Sequence, residues 1–444
     1  MRSADGSGRW LELPSAEASC AVHALEKILA RAAAKKRVRA GEIVTCRIDV
    51  AGINDSDPQP VRSFYAMGGK RVAAAQRILV FLDHYAPATT LSQAEDQHML
   101  RNFCHEQGIV QLMDIDRGIC HQVLADQGLS RPGEIVVMTD AHASIHGALG
   151  AFGSGVTGGD MAAVLLTGEL RFQVPEVVRI TLGGELPTGV FAEDIIFQLS
   201  GELGAEVLAG RAAEFAGPLI NRLPVSQRMT LCNMVIEMGA RTGYVQPDEL
   251  TFDYLREKGV DHFDLMSSDA DYRYAAEFSF DVSCFRPQLA VAHSERRALP
   301  LDQLSGRGIN QAYLGTCSGG RVDDLAVAAD ILAGCKIHPR VRLLVVPASK
   351  DVLLEAMALG HLQTLIQAGA TLITPGCAAC GGSRQGQLAA GETCIASANR
   401  SFFGQLGTPQ ADIFLASPAV VAAAARAGEI IDPALFLNDR GEPI

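Results

Sequence analysis

Three cysteines carry the first chemical signal in this chain. Cys377-Ala378-Ala379-Cys380 is a C-x-x-C pair in a glycine-rich loop with Gly376, Gly381 and Gly382. Cys317 stands in a second glycine-rich loop, G-T-C-S-G-G-R at 315–321. Two thiolates at C-x-x-C spacing can bind one metal ion or one face of a cluster, and the glycines let backbone N–H groups come near sulfur. The pair alone is ambiguous. A redox pair usually opens a helix, with an apolar or aromatic residue between its cysteines. A structural zinc site needs four ligands, and the chain has no second C-x-x-C. Three cysteines suit a cubane iron–sulfur cluster with one iron left open. That iron could act as a Lewis acid on a substrate oxygen. Zinc and a redox pair stay open at this point.

Carboxylates beside imidazoles form the second signal. Asp83-His84 is such a pair, and a carboxylate can orient a histidine and raise its pKa for general-acid work. His121 in R-G-I-C-H (117–121), Asp140 with His142, and Glu237 in N-M-V-I-E-M-G-A (233–240) add more groups of the same kind. Arg400 in A-N-R-S-F-F-G (398–404) is a natural carboxylate clamp. Each has a bland reading: a hydrogen-bonded histidine, a turn cap at Asp140, a surface salt bridge at Arg400.

The elements that must position these groups alternate strand, polar loop and helix. Short apolar runs at 78–82, 134–138, 309–314, 341–346, 370–373 and 411–415 read as strands. A strand is also expected over 42–50, and helices over 17–35, from about Asp160, over 322–333 with Gly334 as stop, and over 350–359. Ser417-Pro418 should open a further helix as N-cap and first residue. This order implies an α/β chain with parallel sheets covered by helices. Ligands in such sheets sit beyond the carboxyl ends of the strands. Asp83-His84, Asp140, His142, Cys317 and the Cys377–Cys380 pair all follow expected strands.

Composition bounds the rest. At 444 residues the chain needs two or three domains. Its net charge of −12 disfavours a nucleic-acid or membrane-surface binder. No apolar run is long enough to span a bilayer, and Met1 to Pro14 has no apolar signal core. A cytoplasmic setting is expected. Seven of the eight remaining cysteines (Cys20, Cys46, Cys104, Cys232, Cys284, Cys335 and Cys394) read as small buried apolar residues in a reducing cytosol.

Many ordered motifs then match one family. They are D-H-Y-A-P-A (83–88), R-G-I-C-H-Q (117–122), P-G-E-I-V-V-M-T-D-A-H (132–142), G-A-L-G-A-F-G-S-G-V (147–156), L-C-N-M-V-I-E-M-G-A (231–240), G-T-C-S-G-G-R-V-D-D-L (315–325), N-R-S-F-F-G (399–404) and L-A-S-P-A-V-V-A (415–422). With the C-x-x-C loop they make the chain resemble the large subunits of 3-isopropylmalate dehydratase, in the aconitase superfamily, from about residue 22 to 435. The resemblance implies an iron–sulfur hydro-lyase of a small hydroxy-carboxylate. It implies three αβα domains with mainly parallel sheets around a central [4Fe–4S] cluster, placed at 21–175, 176–290 and 291–444 after an extension at 1–20. Cys317, Cys377 and Cys380 match the cluster ligands. Asp83 and His84 match the pair that protonates the leaving hydroxyl. His121 with Asp140, and Glu237 with His142, match hydrogen-bonded pairs around the substrate. Arg400, Asn399 and Asn233 match substrate-binding or cluster-side positions. The catalytic base would come from a swivel domain, for which this chain has no room, so a separate small subunit is implied.

The same resemblance marks departures. Ala141 stands where the family has serine, Gly319 where it has asparagine, and Gln405 where it has a second arginine. Asn54-Asp55-Ser56-Asp57 replaces a His-Asp/Glu-x-Thr-like segment. Arg384 is a candidate to replace the lost carboxylate clamp. The expectation is retained water chemistry on an altered substrate.

Overall fold

The run Ile78–Phe81 forms a strand buried at every position. That pattern belongs to a parallel strand covered on both faces. The computed structural model describes residues 21–291, 298–381, 385–399 and 406–437. Ile78–Phe81 lies in a five-stranded, wholly parallel sheet. Its order is Gln111–Met113, Ile78–Phe81, Val50–Asn54, Ile135–Met138, Phe152–Gly155. A second parallel sheet has four strands, Thr242–Val245, Ala212–Ala216, Val177–Gly183 and Ala276–Asp281. The third has seven. Ala298–Pro300 and Gln288–Val291 join it antiparallel, and Asp412–Leu415, Thr393–Ala396, Gln311–Leu314, Arg342–Val345 and Thr371–Leu372 run parallel. The expected strand–loop–helix alternation is therefore the architecture.

The single strand expected over 42–50 is instead two. Ile43–Arg47 alternates exposed and buried residues and pairs antiparallel with Glu169–Gln173, whereas Val50–Asn54 is wholly buried. A half-solvated ribbon and a sheet centre demand different patterns, so the chain changes partner between them. The first helix is also shorter than expected, Ala24–Ala32. His23 caps it: its Nδ1 accepts from the Leu25 amide, and the Glu26 carboxylate accepts from the His23 amide. Residues 17–20, including Cys20, lie outside the described residues.

The helix Val322–Leu332 buries Leu325, Ala328, Ala329 and Leu332, the face expected from spacing. Ser417 and Pro418 open Pro418–Ala427, although the Ser417 side chain makes no cap bond. Thr157 caps Gly158–Thr167 through a reciprocal bond pair with Asp160. Cys46, Cys104, Cys232 and Cys394 are buried as expected, and Cys335 is half-buried. Cys284 is a correction. It is exposed, on a short turn after Ala276–Asp281, with its thiol donating to the Asp281 carbonyl. No described helix is long and apolar enough to cross a membrane.

The helix Val225–Met234 bridges the second sheet and the site. Its Arg228 is fully buried and forks onto both Asp248 oxygens at 2.8 Å, with a third bond to the Leu223 carbonyl. Arg228→Met should lower stability by about 3 kcal/mol, the low end of the range for breaking a buried pair, since Asp248 keeps some access to water. A urea titration of the folded chain checks this.

Candidate active site

The four strands Val50–Asn54, Ile78–Phe81, Ile135–Met138 and Gln311–Leu314 each end just before a polar group of the site: Asp55, Asp83, Asp140 and Cys317 in turn. Parallel strands point all these ends the same way within a sheet, which is why residues far apart in sequence converge.

Asp55 organises the first loop. Its carboxylate is 1% exposed and accepts from the backbone amides of Asp83, His84 and Tyr85 and from Gln97 Nε2. It thereby holds the turn that presents Asp83 and His84. His84 Nδ1 lies 2.8 Å from Asp83 Oδ1, and the other Asp83 oxygen accepts from the Cys120 amide at 2.7 Å. Burial opposes the charge on Asp83, but His84 and the Cys120 amide win and hold its carboxyl below the usual range. Burial also opposes charge on His84, yet Cys377 and Asp83 outweigh it and raise the imidazole well above its ordinary value.

Asp140 is the hub. It caps the 3-10 segment Ala141–Leu149 by accepting from the His142 amide, so its bland role is real. It also faces three imidazoles. His142 Nδ1 is 3.0 Å from Oδ1, His121 Nε2 is 3.2 Å from Oδ1, and His84 Nε2 is 3.5 Å from Oδ2. The His121 contact is of ion-pair length but off hydrogen-bond alignment. Burial works against the Asp140 charge, and His121, His142 and His84 together overcome it, holding the carboxyl well below the usual range. His142 Nε2 reaches Glu237 Oε1 at 3.3 Å.

The cysteine loops close the other side. Asn233 Nδ2 and Asn399 Nδ2 donate to Cys317 Sγ at 3.2 and 3.3 Å, and the Asn399 carbonyl oxygen accepts from Cys380 at 3.7 Å. One amide thus touches thiols from both loops. Both asparagines point at sulfur. The C-x-x-C loop lies on the Asp83-His84 turn: the Cys377 amide donates to the Asp83 carbonyl at 2.8 Å, and a Cβ on Gly376 would meet that carbonyl at 2.7 Å. Ligand atoms of Asp83, His84 and Cys377 lie within 4.8 Å of one another. Burial pushes the Cys377 thiol well above its ordinary value, with His84 pulling the other way. One buried and two half-buried thiols, with amide donors aimed at the buried sulfur, fit a bound cationic metal centre, which replaces the protons. Thr316 and Ala378, each beside a cysteine, have positive φ of 75° and 44°.

Two positioning residues escaped sequence reasoning. Asp55 was noted only as part of an altered segment, though its place after a strand was a signal. Arg321 gave none. It is 4% exposed and bonds the carbonyls of Cys317 and Ser318, Gln122 Oε1 and Thr230 Oγ1. Gly319 has a packing cause: a Cβ there would sit 2.5 Å from Ser397 Cβ. Ala141 begins the 3-10 segment, and Gly155 passes so near that its Cβ would meet Ala141 Cα at 2.6 Å. Arg400, Gln405 and Arg384 lie outside the described residues.

The family model and the curated relatives agree. The model of the Aconitase family (aconitate hydratase) matches residues 26–307 and 290–428. The "3-isopropylmalate dehydratase large subunit 1" of Methanopyrus kandleri is 43% identical over 413 residues, covering 93% of this chain and 99% of that one. The "Probable methanogen homoaconitase large subunit" of Methanothermobacter thermautotrophicus is 42% identical, covering 92% and 96%. Among solved structures, Thermococcus kodakaraensis aconitase X in its holo-form aligns with a TM-score of 0.49 at 13% identity, over 85% of this chain and 89% of that one.

Restoring asparagine at Gly319 should overpack the loop against Ser397 and cost about 1–3 kcal/mol. A lower thermal midpoint for Gly319→Asn than for the parent chain checks it.

Proposed function

The chain belongs to the aconitase family, and we propose that it is the large, cluster-carrying subunit of a hydro-lyase acting on a hydroxy-carboxylate such as 3-isopropylmalate or an analogue. Family membership makes it a hydro-lyase, and the family generally binds an iron–sulfur cluster. The finer reading is a [4Fe–4S] cluster on Cys317, Cys377 and Cys380. The observation that carries it is the single Asn399 amide in contact with Cys317 and Cys380, while Asp83-His84 packs on Cys377. When bound, the cluster would supply an open iron as Lewis acid for the substrate hydroxyl and a carboxylate.

The chain's own residues do the rest. Asp83 orients His84 through Nδ1 and keeps it protonated, so Nε2 serves as the acid for the leaving hydroxyl. Asp140 holds His121 and His142 around the same space, and Glu237 takes the far nitrogen of His142. The amides of Asn233 and Asn399 steady the Cys317 sulfur. Arg400 is the proposed carboxylate clamp. The large-subunit names of the relatives support a separate small subunit. We assign it the swivel domain and the catalytic base.

A second reading has one observation of its own. Asp83, His84 and Cys377 could hold a single metal ion such as zinc. It is disfavoured because Asp83 and His84 are bonded to each other through Nδ1 at 2.8 Å rather than turned together onto one ion.

Anaerobic purification with the small subunit, followed by iron and sulfide analysis and a dehydratase assay, decides between the readings. Iron with matching sulfide is expected. One zinc, no sulfide and full activity would overturn the cluster. Cys317→Ser should lose the inorganic sulfide and the activity together. His84→Gln should keep the iron and sulfide while kcat falls about 10²–10⁴-fold, the range for losing a general acid.

A further inference from the structure

His146 takes no part in the site as described, yet it lies on the same 3-10 segment as His142. It is fully buried, and neither ring nitrogen has a hydrogen-bond partner among the described residues. Its ring stands edge-to-face with that of His121, centroids 5.6 Å apart at 61°. His121 is 1% exposed, and its Nδ1 is likewise without a partner among the described residues. An imidazole has one nitrogen that donates and one that accepts when neutral, and burying both unsatisfied is costly. Packing alone would be served better by phenylalanine or leucine. A buried water that joins two such groups satisfies both and is then part of the structure.

The backbone leaves His146 little freedom. A Cβ on Gly153 would meet the Ala143 carbonyl oxygen at 2.0 Å and His146 Cβ at 3.2 Å, and one on Gly147 would meet the Gly243 carbonyl at 1.9 Å. The segment is wedged between two sheets, so the ring is held where it stands. His121 Nε2 lies 3.2 Å from Asp140 Oδ1, off hydrogen-bond alignment but on the side of the anion. A neutral ring that turns its N–H toward this carboxylate leaves Nδ1 to accept.

We propose that His146 is a positioning residue for His121, sharing one buried water with His121 Nδ1 and so fixing the Nε2–H tautomer that faces Asp140. Burial keeps His146 itself neutral, which suits a ring that must both donate and accept. The inference rests on the reading that His121 and Asp140 serve the reaction. It adds a link behind them: His146, water, His121, Asp140.

The test uses the full chain labelled with ¹⁵N-histidine, with His121 assigned from the spectrum of His121→Gln, and the enzyme assembled with its small subunit. In the parent, His121 should show the Nε2–H tautomer. In His146→Phe it should become a tautomer mixture, and kcat should fall about tenfold with KM unchanged, the scale of one hydrogen bond. His146→Gln can donate and accept, and should restore both. If His146→Phe does not fold by circular dichroism, His146→Met takes its place. A His146→Phe or His146→Met enzyme with the parent's His121 signals and kcat would overturn the proposal. An inactive parent would sink the functional reading instead, and the nitrogen spectrum would still decide the tautomer.

Discussion

Asp140 must stay ionised where burial works against its charge. Three imidazoles make this possible, from His84, His121 and His142. His142 follows Asp140 by two residues, but His84 and His121 come from other parts of the chain, so the carboxylate has all three only when those parts have converged. A buried charge left without partners is costly enough to destabilise a whole domain. The site and the packing of the first sheet are therefore one problem. Asp55 gathers three successive amides of the Asp83-His84-Tyr85 turn onto one carboxylate, although burial and the Asp83 charge raise its carboxyl above the usual range.

Convergence also needs backbones to approach more closely than side chains allow. Gly147, Gly153 and Gly155 each have a neighbouring backbone where a Cβ would go. Gly319 sits against Ser397, while Gly315 and Gly320 press on Val346. The glycines around 147–155 thus serve close packing of the segment that carries His142 and His146. Those around Cys317 let that loop settle between the ends of neighbouring strands. Arg321 then ties the Cys317 carbonyl to Gln122 and Thr230, linking the cysteine loop to two other parts of the fold.

The C-x-x-C loop and the Asp83-His84 pair are thus packed against each other. The Cys377 amide bonds the Asp83 carbonyl, so the C-x-x-C loop and the Asp83-His84 turn cannot move independently. That suits a family whose chemistry needs a substrate oxygen held on one side and a proton delivered from the other. It also means that the departures at Gly319 and Ala141 lie in the most crowded backbone of the site, where small residues have a packing reason as well as a chemical one.

Much of this was legible in the sequence. Apolar runs followed by polar loops marked parallel strands, because strands buried on both faces have no solvent side to alternate with. Asp83, His84, Asp140, Cys317 and the C-x-x-C pair stood out because they follow such strands, and the motif match tied them to one family. The junction at Ile48-Asp49 was not legible, since a run of strand-forming residues cannot say that its halves join different sheets. Nor was Arg321, which reads as an ordinary helix-start arginine until its carbonyl partners are seen. His146 reads as one more histidine in a glycine-rich run. The sequence by itself determined which residue types were available and on which strand ends they fall. Only the tertiary structure decided which of them share a charge, a sulfur or a buried nitrogen, because those contacts join residues far apart in the chain and no local pattern encodes the distance between them.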